Sequence, residues 1–149
     1  MIAYLDSSAL VKRYVEEEGS DIVRDVYRKA YSGDTVLALS AWNIGEVLGV
    51  LDKYRKRGWL AEKDYAKALR SFAGETARLL RLGIMRVVPV RASLLVASWS
   101  IVLKHHLYQA DALQVVTAKH VGSEIFLTGD KRLSEVASSE GLKAVYLEG

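Results

Sequence analysis

The sequence predicts an α/β fold built on a mostly parallel, five-stranded sheet, and three observations carry that expectation. Short apolar runs of β type alternate along the chain with longer segments whose apolar residues recur at helix spacing. The 149 residues suffice for one domain with a real hydrophobic core and are too few for two of ordinary size. With a single Pro and no Ser/Gly-rich or low-complexity stretch, the chain offers neither a linker nor an internal repeat.

In chain order, Ile2 to Leu5 is the first strand, followed by Leu10, Val11, Tyr14 and Val15 at helix spacing and by Ile22, Val23, Val26 and Tyr27. Thr35 to Leu39 is the second strand, and Ile44, Val47, Leu48 and Leu51 form the stripe of the next helix. Ala61 to Leu82 reads as a long helix with Leu69, Phe72, Ala73 and Leu80 on its apolar side, suited to packing within the monomer or to a clip or dimer surface. Arg86 to Val90 is the third strand, and helices follow over Ala92 to Leu103 and Ala110 to Val121. Ile125 to Thr128, a helix over Arg132 to Ser139, and Lys143 to Leu147 complete the set. Right-handed crossovers place such helices on both faces of the sheet, and ligands then gather at the carboxyl ends of the strands.

Composition narrows the function classes. No cysteine is present, which excludes disulfides, thiolate metal sites and a cysteine nucleophile, and fits a reducing cytoplasm. No signal peptide is expected, because the N-terminus enters a strand pattern directly. The most apolar segment, Ser93 to Leu103, is interrupted by serines and far shorter than the ~20 residues a membrane span needs, so no membrane partner is expected. Net charge is +3, which permits a polyanionic partner without requiring one. Asn and Gln are scarce, limited to Asn43, Gln109 and Gln114, a bias also found in heat-adapted proteins.

Acidic residues at the predicted strand ends carry the chemistry. Asp6 closes the first strand, where helix capping by Asp6, Ser7 or Ser8 explains it locally. Asp130 repeats the arrangement in "EIFLTGDKRL", and a turn or a cap again suffices. Asp111 lies in or near the first turn of a helix, where the macrodipole favours a carboxylate by about 0.3–1 kcal/mol. Glu46 sits in "SAWNIGEVLGVL", apolar nearly all round, so its carboxylate faces a crowded surface or pocket unless it snorkels to water. Each residue alone has a structural explanation; together, the four could converge on one cleft. Four carboxylates that close raise one another's pKa and call for a cation. Oxygen-only ligands select a hard ion, Mg²⁺ or Mn²⁺, and no EF-hand loop is present for Ca²⁺.

Asp6 in "YLDSSALVKRYVEE", Glu46 six residues after Ser40, Asp111 in "ADALQVVTA" and Asp130 in "FLTGDKRL" resemble the four acidic positions of PIN-domain nucleases, especially the VapC toxins. The resemblance spans nearly the whole chain, and "DALQVVTA" and "LTGD" are its most specific stretches. It implies a single PIN-like domain over residues 1–149, an α/β/α sandwich, and Mg²⁺- or Mn²⁺-dependent endoribonuclease activity. It also implies homodimerisation and inhibition by a VapB-type antitoxin. Carried over, Asp6, Glu46, Asp111 and Asp130 are the catalytic, metal-holding acids, with Ser8 and Thr128 as supporting hydroxyls.

In that chemistry water attacks phosphorus and leaves a 5′-phosphate, whereas a histidine ribonuclease would pass through a cyclic phosphate. His105 and His106 are the only adjacent pair for the second route, and beside Lys104 they read as a helix end. Lys12, Arg13, Arg91, Lys104, Lys131 and Arg132 are candidates for meeting substrate phosphates on edge-proximal elements, although basic residues on helices are mostly solvated faces and none is named as a site residue. "YRKRGW" suits stacking on RNA, or a helix end stopped by Gly58. A nucleotide-binding module lacks its G-x-G-x-x-G or P-loop, and a haloacid-dehalogenase phosphatase would want Asp where Ser8 stands. The remaining alternative is a non-catalytic scaffold of the same fold that binds RNA or protein.

Overall fold

A computed structural model describes residues 1–149. Five strands, β1 (Ile2–Leu5), β2 (Val36–Ser40), β3 (Met85–Val88), β4 (Ile125–Thr128) and β5 (Lys143–Tyr146), form one sheet in the order β3-β2-β1-β4-β5. All four pairings are parallel. Seven helices connect them: α1 (Ser7–Tyr14), α2 (Ser20–Tyr31), α3 (Ala41–Lys56), α4 (Glu62–Arg81), α5 (Ala92–His105), α6 (Gln109–His120) and α7 (Lys131–Ser139).

Side chains alternate across a strand, and here both sides of the alternation are apolar. Ala3, Leu5, Leu37, Leu39, Met85 and Leu127 face one layer, where they meet Leu10 and Val11 of α1, Val23 and Tyr27 of α2, Val47 and Leu51 of α3, and Phe72 and Leu79 of α4. Tyr4, Ala38 and Phe126, the residues between them, face the other layer, built from Ile101 of α5, Ala112, Val115 and Ala118 of α6, and Leu133, Val136 and Ala137 of α7. The result is a three-layer α/β/α arrangement. Tyr4 and Phe126 stack across β1 and β4 with centroids 5.5 Å apart.

Strand bounds differ slightly from the expected ones. β3 stops at Val88 because Pro89 has no N–H to extend the ladder and Val90 is exposed. β2 runs on to Ser40, which then caps α3, and α7 begins at Lys131, one residue earlier than its apolar stripe. The "YRKRGW" segment is a helix end: α3 stops at Lys56, Gly58 takes φ +73°, and Trp59 packs on Tyr54 and Arg57. Phe72 and Leu79 of α4 pack into its own core, while Leu80 is exposed. No helix is long and apolar enough to cross a membrane.

Candidate active site

The chain reverses direction across the sheet between β1 and β4, and in open parallel sheets the crevice at such a point is where ligands bind. Register pairs Leu5 with Leu127, so the residues that follow, Asp6 and Thr128, lie side by side at the carboxyl edge. Asp6 is buried and is the N-cap of α1. Its Oδ1 accepts from the Ala9 N–H at 2.9 Å and from the Ser8 hydroxyl at 2.6 Å, while its Oδ2 accepts from the Thr128 hydroxyl at 2.5 Å. Capping and site formation are therefore the same geometry.

Both hydroxyls are fixed from behind. Ser8 Oγ accepts from the Gly129 N–H at 2.8 Å, and Thr128 Oγ1 accepts from the Asp130 N–H at 3.0 Å. Two amides of the β4–α7 turn thus feed through two hydroxyls into the two oxygens of Asp6. Asp130 caps α7, accepting from the Leu133 N–H at 3.1 Å, and stands exposed at the rim.

Glu46 lies half-buried on α3 and accepts from the Asn43 side-chain amide at 3.3 Å. Asn43 closes a capping box with Ser40, whose N–H it accepts at 2.8 Å. Asp111, half-buried, is the third residue of α6. Burial raises its pKa, and the charges of Asp130 and Glu46 raise it further, so these three carboxylates share one electrostatic environment. Burial also lifts Asp6 to about 6; its three hydrogen bonds oppose the rise and the charge of Asp111 adds to it. None of the four acids forms an ion pair with a Lys, Arg or His.

As placed, no three His, Asp or Glu side chains gather closely enough to hold an ion. What the four carboxylates offer is an all-oxygen donor set, coupled in charge through Asp111 and paired with no Lys, Arg or His, which fits a hard divalent ion in kind.

Beneath the acids lies a polar floor that the sequence did not reveal. The Tyr4 hydroxyl donates to Gln114 Oε1 at 2.6 Å and lies 3.4 Å from Asn43 Oδ1, with all three residues buried. Burial holds the Tyr4 phenol well above its usual pKa, and the charges of Asp6 and Glu46 push the same way, so it stays a neutral donor. A signal was available: Asn43 and Gln114 are two of only three side-chain amides in the chain. The third, Gln109, donates to Ser98 Oγ.

Several basic candidates are engaged elsewhere. Lys12 is buried between two glutamates, Arg13 is paired with Glu75, Lys104 with Glu140, and Arg132 donates to the His105 carbonyl. Arg91 and Lys131 remain exposed and form no ion pair. His105 ends α5 and faces Glu140 at 2.9 Å, while His106 takes the left-handed C-cap conformation at φ 57°, so the pair is a helix end.

Comparison with known proteins agrees with this architecture. The PIN domain family model matches residues 3–139. No match to curated proteins is found by sequence. Among solved structures, PAE2754 from Pyrobaculum aerophilum is similar with a TM-score of 0.67 at 19% identity, covering 97% of this chain and 84% of that one. The sarcin-ricin loop cleaving toxin VapC20 of Mycobacterium tuberculosis gives a TM-score of 0.60 at 17% identity, over 97% of this chain and 98% of that one. VapBC2 of Rickettsia felis, solved with a DNA fragment from its promoter, gives 0.63 at 12% identity over 98% of each chain.

Proposed function

Because the chain belongs to the PIN-domain family, we propose that it is a Mg²⁺- or Mn²⁺-dependent endoribonuclease, the toxin of a type II toxin–antitoxin pair acting in the cytoplasm. The observation that supports the chemistry is the charge coupling of Asp6 with Asp111, and of Asp111 with Glu46 and Asp130, none of the four being paired with a Lys, Arg or His. The solved relatives support the biological role: one is a toxin that cleaves the sarcin-ricin loop, and another is a VapBC complex. A VapB-type antitoxin is accordingly the proposed protein partner.

Asp6, Glu46, Asp111 and Asp130 would hold the ion, and a bound Mg²⁺ or Mn²⁺ would supply Lewis-acid polarisation of the scissile phosphate and of a water. Asp6 is the rigid member, since all its hydrogen-bond donors come from the fold. The hydroxyls of Ser8 and Thr128 point their protons at Asp6 and so keep its orientation as its charge is used. Asp111, whose pKa is raised, is suited to orient the attacking water and accept part of its proton. Attack by water at phosphorus breaks the bond to the 3′ oxygen, giving a 3′-hydroxyl and a 5′-phosphate.

The test is cleavage of total cellular RNA with Mg²⁺, Mn²⁺ or EDTA by the native protein and by Asp111→Asn, with the product ends mapped. Metal-dependent cuts bearing 5′-phosphates are expected. In the variant the rate should fall by more than the about ten- to hundredfold typical of losing an outer-shell partner. No cutting under any condition would favour a scaffold of the same fold that binds RNA or protein.

A homodimer is part of the proposal. Val96, Trp99 and Leu103 lie exposed at i, i+3 and i+7 along α5, an apolar stripe with no cover within the monomer. Light scattering should report twice the monomer mass at micromolar concentration; monomer mass throughout that range would remove the dimer.

A further inference from the structure

We propose that Lys12 and Glu148 form a positioning device for the acidic site, gripping Gly129 so that the turn carrying Thr128 and Asp130 is held in register with Asp6. This rests on the ion-site reading above.

Lysine is almost never fully buried unless it is paired, and taking an ammonium out of water costs several kcal/mol even after relaxation. The Lys12 side chain is 1% exposed, and its Nζ lies 3.1 Å from Glu17 and 3.1 Å from Glu148. Neither glutamate is itself buried, so latching two surface segments together would not require a buried cation. Position explains the burial. Lys12 sits one helical turn after Ser8 on α1, and the two side chains straddle Gly129. A Cβ at Gly129 would stand 3.2 Å from Lys12 Cε, 3.3 Å from Ser8 Oγ and 3.5 Å from Glu148 Oε2. Glycine is therefore the residue that lets these three groups close on the turn.

The opposite side of the turn is fixed by the segment after β5. The Leu147 N–H donates to the Thr128 carbonyl at 2.9 Å, and Leu147 is buried against Gly19, where a Cβ would collide with the Leu147 backbone. Gly19 takes φ +89°, which glycine alone adopts readily, and so admits this contact. Glu148 then turns back to Lys12, and the ion pair ties the β5 end to α1 across Gly129. Any slackening there shifts the Gly129 and Asp130 amides, and these are the donors that set Ser8 and Thr128 against Asp6. Lys12 thus acts through the turn and touches no reacting atom.

The test compares native protein with Glu148→Gln, an exposed and nearly isosteric change, and with Lys12→Met and the double variant. Amide hydrogen exchange is measured without metal, Mn²⁺ affinity by calorimetry, and melting temperature alongside. In Glu148→Gln the Gly129 and Asp130 amides are expected to exchange at least about tenfold faster while the other β4 amides keep their rates, and Mn²⁺ affinity should fall about ten- to hundredfold. In RNA cleavage kcat should fall with KM unchanged. In the double variant these two amides should exchange no faster than in Lys12→Met, because the pair acts as one unit. Exchange that changes equally across β4, or Mn²⁺ affinity equal to native, would reduce the pair to ordinary stabilisation and overturn the proposal. A native protein that binds no Mn²⁺ would instead sink the ion-site reading, and the two amides alone would then decide whether Lys12 and Glu148 position the turn.

Discussion

Asp6→Asn is expected to abolish divalent-ion binding and RNA cleavage while making the metal-free protein more stable at neutral pH. Burial lifts the Asp6 carboxyl from the ordinary 3.8 to about 6 in the folded protein. Between those values the folded state binds a proton that the unfolded chain does not, so stability falls as pH rises. The contribution is fully present below about pH 4 and lost by the time pH has passed through about 6; it amounts to about 3 kcal/mol. Asparagine removes the charge and retains an oxygen for the Ala9 N–H and the Ser8 hydroxyl, so it escapes this decline. Urea unfolding of both proteins in EDTA from pH 4 to 7 checks it. The advantage of the variant should grow through the window and then level off; parallel curves would show that Asp6 ionises without cost. Glu140, held at about 2 chiefly by its hydrogen bond from His105, is common to both proteins and cancels in the difference. The residue most needed for the proposed chemistry is thus one that the fold holds at a loss, a usual feature of active sites.

Glu75→Ala is expected to cost about 1.5–3 kcal/mol of stability, the usual effect of losing hydrogen bonds to a charged group whose Arg13 partner keeps some access to water. Glu75 lies buried on α4 and accepts from Arg13 Nε and Nη2 at 2.9 Å each, from the Tyr14 hydroxyl at 2.9 Å and from the Tyr31 hydroxyl at 2.7 Å. One carboxylate therefore ties α1, α2 and α4 together, with the Arg13 guanidinium lying 4.6 Å over the Tyr27 ring. Burial pushes the Glu75 carboxyl up, but the bonds from Arg13, Tyr31 and Tyr14 outweigh it and hold the group below its usual range. Its stabilisation is accordingly present at neutral pH and lost as the pH falls through that lowered value. Truncation leaves Arg13 charged and two tyrosines without their acceptor. Denaturant unfolding at pH 7 measures the loss, and a change under about 1 kcal/mol would mean that water replaces the carboxylate freely. Glu75 is not among the groups that shift the acids, so Mn²⁺ affinity of the folded variant should match native.

The order of the elements, the parallel sheet and the acids at strand ends were legible in the sequence, because each is a local pattern. "IAYLD" and "IFLTGD" announce a strand that ends on a carboxylate, and the spacing of Ile44, Val47 and Leu51 announces a helix whatever it packs against. Such patterns extend over one or two turns, so they place Asp6, Glu46, Asp111 and Asp130 on their elements without saying which elements touch. Strand ends near Pro89 and Ser40 moved by a residue or two, where a missing N–H or a cap outweighs apolar periodicity.

What the tertiary structure decided is which residues meet. Pairing of β1 with β4 joins residues about 120 positions apart and sets Thr128 against Asp6. No local spacing encodes that contact. The meeting of β1 with α3 and α6 turned Tyr4, Asn43 and Gln114 from ordinary polar residues into the floor beneath the acids, and the chain after β5 closing on α1 made Lys12 a buried cation instead of a surface one. Sequence by itself determined the donor chemistry of the proposed site, since side-chain identity fixes which oxygens a hard ion could be offered. Burial, which depends on every layer packed around a residue, determined the charge cost of each acid and which basic groups remain free for a phosphate.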